Sequence, residues 1–177
     1  MIPFPVIAIT LGFGALCMAT DLHSRRIPNV LTGIGLLAGV ALNALYFGGD
    51  GLVASGAGFA AGLAVLLVPF ALGGIGGGDV KMMAAVGALL GPRVTFGALL
   101  AGLILGGIFM AVHLTRVGRL RETVRTVGTM VAASALGGSL EPLRVSDSAP
   151  GTITLPYSIP LGLGTFLALL ASGSMGA

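Results

Sequence analysis

Charge is what this sequence has least of. Nine basic and six acidic side chains are spread over 177 residues, 8% of the chain, against 55% that are apolar. Soluble domains carry about 25% charged residues, so a globule covered by water is excluded. Mean hydropathy of +1.05 fits a polytopic membrane protein whose outer surface faces lipid. Tryptophan is absent and cysteine occurs once, at Cys17. A single cysteine rules out an intrachain disulfide and a thiolate zinc cluster, and reads as a small buried hydrophobe. The chain has no soluble basic surface of the kind that binds nucleic acid. No Lys or Arg precedes the first apolar run. The positive region of a cleaved signal is therefore missing, and the segment reads as a retained helix.

What is present is a series of apolar runs at 3–20, 30–48, 52–72, 80–91, 94–115 and 156–174, bounded by charge, Gly or Pro. Most approach the roughly 20 residues that cross about 30 Å of hydrocarbon. Runs this continuous lack the alternation of barrel strands, and only helices or closed barrels satisfy their backbone in lipid. The expected fold is all-α, a single membrane-embedded domain over 1–177 made of six transmembrane helices. Eight of the nine basic residues (Arg25, Arg26, Lys81, Arg116, Arg119, Arg121, Arg125 and Arg144) fall in the first, third and fifth connections, leaving only Arg93 for the others. The positive-inside rule then puts those three connections in the cytoplasm and both chain ends outside. Gly-x-x-x-Gly spacings at Gly35/Gly39, Gly58/Gly62, Gly87/Gly91 and Gly102/Gly106 predict close helix contacts. Within the polar connection 116–155, Leu120, Val124, Val127 and Val131 share a helical face, with Arg121 and Arg125 opposite. That spacing predicts an amphipathic helix on the inner leaflet.

Against this background two acids stand out. Asp21 ends the first helix, where a negative charge opposes the helix dipole, and Asp79 follows the Gly-rich stretch GGIGGG at the start of the fourth. Asp79 also reads as an ordinary N-cap; Asp21 has no such structural role. The topology puts both at one membrane depth although they are 58 residues apart in sequence. Ionisable residues at the edge of hydrocarbon mark cavities and bundle interiors. The fourth helix, Asp79 to about Gly91, is roughly 20 Å long, about two-thirds of the hydrocarbon thickness, and one solution is for the Gly-rich loop to sink into a wet cavity. Gly76, Gly77 and Gly78 would there let an extended substrate backbone approach Asp79. Two adjacent carboxyls can share a proton, one taking a proton from water while the other donates to a carbonyl. Helix ends alone predict Asp79 as the ionised member and Asp21 as the protonated one.

The pairing of TDLHSRRIPN (20–29) with GIGGGDVK (74–81) resembles the prepilin peptidases, the type IV leader peptidases of the GxGD aspartic protease class. By that resemblance, Asp21, ahead of Arg26, Ile27, Pro28 and Asn29, and Asp79, preceded by Gly76 and Gly78 and followed by Lys81, are the catalytic pair. LPYSIPLGLGTFLAL (155–169) looks like the family's C-terminal Pro-rich helix start. The resemblance implies cleavage, at the cytoplasmic face of the inner membrane, of prepilin-like substrates whose basic leader ends in Gly before a hydrophobic helix. No metal or cofactor is expected. Long relatives carry paired Cys-x-x-Cys motifs for zinc and methylate the product; this chain lacks the motifs and resembles the short peptidases of tight-adherence (Flp) pilus systems. Lys81, Arg26, Pro28 and Asn29 are possible accessory residues. Lys81, two positions from Asp79, is expected to face elsewhere on its helix, towards lipid. Two rival functions remain in view. A proton-coupled carrier or channel subunit could use the same acids as a relay, although only one Gly-rich break is visible where carriers show matched breaks. A serine protease using Ser55 and His113 would need two residues predicted on opposite membrane sides. A nucleotide-binding loop is excluded, because Asp79 and Val80 separate the glycines from Lys81 and no Ser or Thr follows.

Overall fold

The structure, a computed structural model, describes residues 2–71, 75–118, 121, 124, 125 and 157–174. It is all-helical among those residues: α1 (Phe4–Ser24), α2 (Asn29–Ala71), α3 (Gly77–Arg116) and α4 (Ser158–Ser174). Helix α1 starts behind Pro3, with a second proline in its first turn, where a missing N–H costs nothing. It ends at Arg25, which turns left-handed (φ 52°) and donates its N–H to the Asp21 carbonyl at 2.7 Å. Pro28 then sets the start of α2.

Helices α2 and α3 are hairpins. Backbone geometry inside α2 leaves the helical region at Gly48 (φ 59°, ψ −133°), and inside α3 at Gly91 (φ 73°, ψ 172°), just before Pro92. In a straight α2, Gly39 and Gly58 would stand about 28 Å apart. Yet a Cβ on Gly39 would lie 2.7 Å from the Ala88 carbonyl carbon, and one on Gly58 2.8 Å from that of Gly87. Both faces meet the same turn of α3, so the chain reverses at Gly48. Likewise Gly106 lies against the Tyr157 ring, 3.1 Å from where its Cβ would be, while the adjacent Ser158 bonds Asp21, which shares a cleft with Asp79. A straight α3 would separate residues 79 and 106 by about 40 Å, so it too folds back, at Gly91–Pro92.

The run boundaries predict separate helices at 30–48 and 52–72, and at 80–91 and 94–115. The structure turns on one positive-φ glycine in each case instead of a loop of several residues. A backbone without Cβ can take up the whole reversal, and a lost loop is invisible to hydropathy.

Packing follows glycine. Gly39, Gly58 and Gly62 of α2 press onto the α3 backbone at Ala88, Gly87 and Met83, and Gly164 of α4 presses onto Gly102 and Ala98. These include members of the predicted Gly-x-x-x-Gly pairs, used here within the chain. Where α2 meets α3, Asn43 donates its side-chain amide to the Gly39, Ala88 and Leu89 carbonyls (3.0, 2.9 and 3.0 Å), and Ser55 its hydroxyl to the Ala88 carbonyl (2.8 Å). The first half of α3 is the central rod. Asp79, Val80 and every residue from Met82 to Gly91 are buried, as expected of a helix apolar all round. Its neighbours turn large apolar side chains outward, among them Phe4, Leu37, Leu45, Phe96, Ile104 and Leu170. Helices α1, α2 and α3 are long and apolar enough to cross a membrane, and α4 is a shorter apolar helix. This is the surface of an integral membrane protein. The amphipathic helix expected within 116–155 lies largely outside the described residues.

Candidate active site

One end of the bundle gathers four chain segments. The last turn of α1 brings Asp21, the 25–28 connection brings Arg25 to Pro28, Gly76–Gly78 lead into the first turn of α3 with Asp79 and Lys81, and α4 begins at Ser158. The turns at Gly48 and Gly91 lie at the other end. Between the gathered segments is an open cleft of about 440 Å³, lined by Asp21, Arg25, Arg26, Ile27, Pro28, Asn29, Gly76, Gly77, Gly78, Asp79 and Lys81. The candidate peptidase residues Asp21, Arg26, Pro28, Asn29, Gly76, Gly77, Gly78, Asp79 and Lys81 thus border one space.

The two carboxyls have different surroundings. Asp79 is 7% exposed, and its Oδ1 is buried with no hydrogen-bond partner among the described residues. Buried polar atoms are nearly always satisfied, and those left over gather at functional sites. The Asp79 backbone N–H donates to the Gly76 carbonyl at 3.1 Å, which closes the first turn and fixes where the side chain leaves the rod. Asp21 is half-buried, and its Oδ2 accepts the Ser158 hydroxyl at 2.5 Å. Helix ends alone carry no information on this difference in burial and partner.

The glycines divide their roles. A Cβ on Gly76 would stand 3.3 Å from Asp79 Oδ2, so this glycine keeps the space beside the carboxylate clear. Gly78 faces the buried Ile27, whose Cβ and Cγ1 would be 3.3 Å from an added methyl, and Gly77 faces the Phe70 ring at 3.2 Å. Those two let the 25–28 connection and the end of α2 close over the start of α3.

Lys81 departs from expectation. It lines the cleft, and its Nζ donates to Asn29 Oδ1 at 2.9 Å. A long side chain at an exposed first turn can curl round the helix end, which spacing along the helix does not anticipate. Arg25, Arg26 and Lys81 form an exposed cationic rim on a cleft whose floor holds two carboxyls. Ser55 is buried beside Ala88, towards the Gly91 turn, with its hydroxyl donated to that carbonyl.

Two residues at this end were not singled out from the sequence. Ser158 is fully buried and reaches Asp21 across 137 residues. Tyr157 is half-buried, and its ring packs against Gly106 of α3. The available signal is the polar pair Tyr157–Ser158 opening a helix that is otherwise mostly apolar. An open cleft holding two carboxyls, one of them with an oxygen that has no partner among the described residues, has what is needed to hold and activate a water molecule.

A family model described as the type IV leader peptidase family matches residues 8–111. That span contains Asp21, the 25–29 connection, the Gly-rich stretch and Asp79. Over 94 residues the chain is 35% identical to the prepilin leader peptidase/N-methyltransferase of Bacillus subtilis (strain 168). The aligned part is 52% of this chain and 38% of the relative, so the chain spans well under half of that protein's length. No solved structure matches.

Proposed function

The chain belongs to the type IV leader peptidase family, and from that premise we propose that it is a membrane-embedded aspartic endopeptidase that removes the basic leader from prepilin-like precursors. The observation that carries this reading is the meeting of Asp21 and Asp79, from two distant helices, in one open cleft. In the proposed reaction water lies between the two carboxyls. The ionised member takes its proton as the water oxygen attacks the scissile carbonyl carbon, and the protonated member donates to the carbonyl oxygen. Collapse of the tetrahedral intermediate breaks the C–N bond. The departing amine takes a proton from the acid pair, which leaves a leader carboxylate and a new amino terminus. Gly76 keeps the approach to Asp79 clear for the extended peptide.

Counting each half of the α2 and α3 hairpins, we read six membrane crossings, with the cleft and its cationic rim at the cytoplasmic face and the turns at Gly48 and Gly91 outside. The distribution of basic residues supports that orientation. The substrate class comes from the resemblance described above: a basic leader ending in Gly, followed by a hydrophobic helix.

The test is cleavage of such a precursor by purified protein in detergent or liposomes. Asp21→Asn and Asp79→Asn should each lose about 10²- to 10⁴-fold in rate while keeping wild-type thermal unfolding. Full activity in either variant ends the proposal. A proton carrier using the same acids would instead leave the precursor intact and move protons across sealed vesicles.

A further inference from the structure

We infer that Ser158 is a positioning residue for Asp21: its buried hydroxyl holds Asp21 Oδ2 and so determines which carboxylate oxygen is left for the cleft water. The inference rests on the peptidase reading above and extends it to a third helix.

Asp21 sits in the last turn of α1, half-buried beside an open cleft, where a carboxylate would sample several rotamers. Ser158 removes that freedom. It is 0% exposed and donates to Asp21 Oδ2 at 2.5 Å, the length of a strong bond from a hydroxyl to a carboxylate. A serine opening a helix more usually turns its side-chain oxygen to its own first-turn N–H groups. Here the hydroxyl proton goes to another helix. With Oδ2 so engaged, Oδ1 is the oxygen free of this bond.

The geometry around the pair is built to hold it. Met18 and Asp21 are three residues apart on α1, and Ser158 and Gly162 four apart on α4, so each pair lies on one face. A Cβ on Gly162 would stand 2.6 Å from Met18 Sδ, so the two helices touch here because Gly162 has no side chain. The helices run antiparallel, with Met18 opposite Gly162 and Asp21 opposite Ser158. On its other side, α4 is fastened by fully buried Leu161 against Gly102 of α3. Ser158 therefore sits on a rigid corner, as a group that aims a reacting side chain must.

The test uses Ser158→Ala, Ser158→Thr and Ser158→Cys in the full chain, with the precursor-cleavage assay and thermal unfolding. Ser158→Ala should lower kcat about ten- to a hundred-fold with KM within about two-fold of wild type, because orientation and not binding is lost. Ser158→Thr keeps the hydroxyl and should recover most of the rate. Ser158→Cys, close in volume and a weaker donor, should fall between, and it carries the test if the alanine variant fails to fold. Infrared difference spectra of carboxyl-labelled aspartate, with Asp21→Asn to isolate the Asp21 band, should show that band moving in Ser158→Ala. An unchanged kcat in a folded Ser158→Ala, a rise confined to KM, or equal loss in all three variants would overturn the inference. An active wild type whose Asp21 band ignores Ser158 sinks this inference alone, whereas a wild type that cleaves no precursor sinks the peptidase reading.

Discussion

Replacing Gly62 by alanine puts one methyl group where the structure has no room. Its Cβ would lie 2.7 Å from the Met83 carbonyl carbon and 3.0 Å from the Ala84 nitrogen, with the Met83 carbonyl oxygen nearer still. Carbon atoms rest at about 3.5–4.0 Å, and the obstacle is backbone, which cannot rotate away. The second half of α2 and the central rod of α3 must therefore part by about 1 Å. The rod is buried from Asp79 to Gly91, apart from Lys81, so it has no free side to move towards. Overpacking of this kind costs about 1–3 kcal/mol. Met83 lies one turn from Asp79, so the displacement reaches the site, and a shift near 1 Å in a reacting group costs about 10²-fold in rate. Gly56→Ala is the control: on the same half of α2, its Cβ would meet nothing within 4 Å. That change should be neutral or stabilise by up to about 1 kcal/mol through helix propensity. Thermal unfolding in detergent and precursor cleavage read both effects. If Gly62→Ala matches Gly56→Ala in unfolding and in rate, the close seam between α2 and α3 is not what positions Asp79.

Asn43→Leu should destabilise by about 1–3 kcal/mol, because the Leu89 carbonyl loses its 3.0 Å side-chain donor in a buried seam; an unchanged unfolding midpoint would count against that account. The Lys81–Asn29 bond is exposed; a double-mutant cycle with Lys81→Met and Asn29→Ala should give a coupling below about 1 kcal/mol, and a larger value would show the pair to be shielded from water.

Sequence alone determined the class of this protein, because composition settles the solvent: too few charges for a water-facing surface leave only a helical solution in lipid. It also located the chain's punctuation. Gly48 and the Gly91–Pro92 pair are where the runs break, and Pro28 is where the second helix begins, since glycine and proline act on their own backbone and leave a local signature. By counting crossings it assigned Asp21 and Asp79 to the same end. Tertiary structure decided everything that depends on which faces meet. Hydropathy along a run cannot tell a loop from a reversal on one residue, so the two hairpins had to be seen. Lys81 turns into the cleft and not towards lipid, because helical spacing fixes where a Cβ points and not where a four-carbon side chain ends. Ser158 was invisible for a similar reason: nothing near residue 158 records that a carboxylate 137 positions earlier will lie 2.5 Å from its hydroxyl. Local chemistry is written into neighbouring residues, while a site assembled from α1, α2, α3 and α4 exists only once glycine-lined faces have brought those helices together.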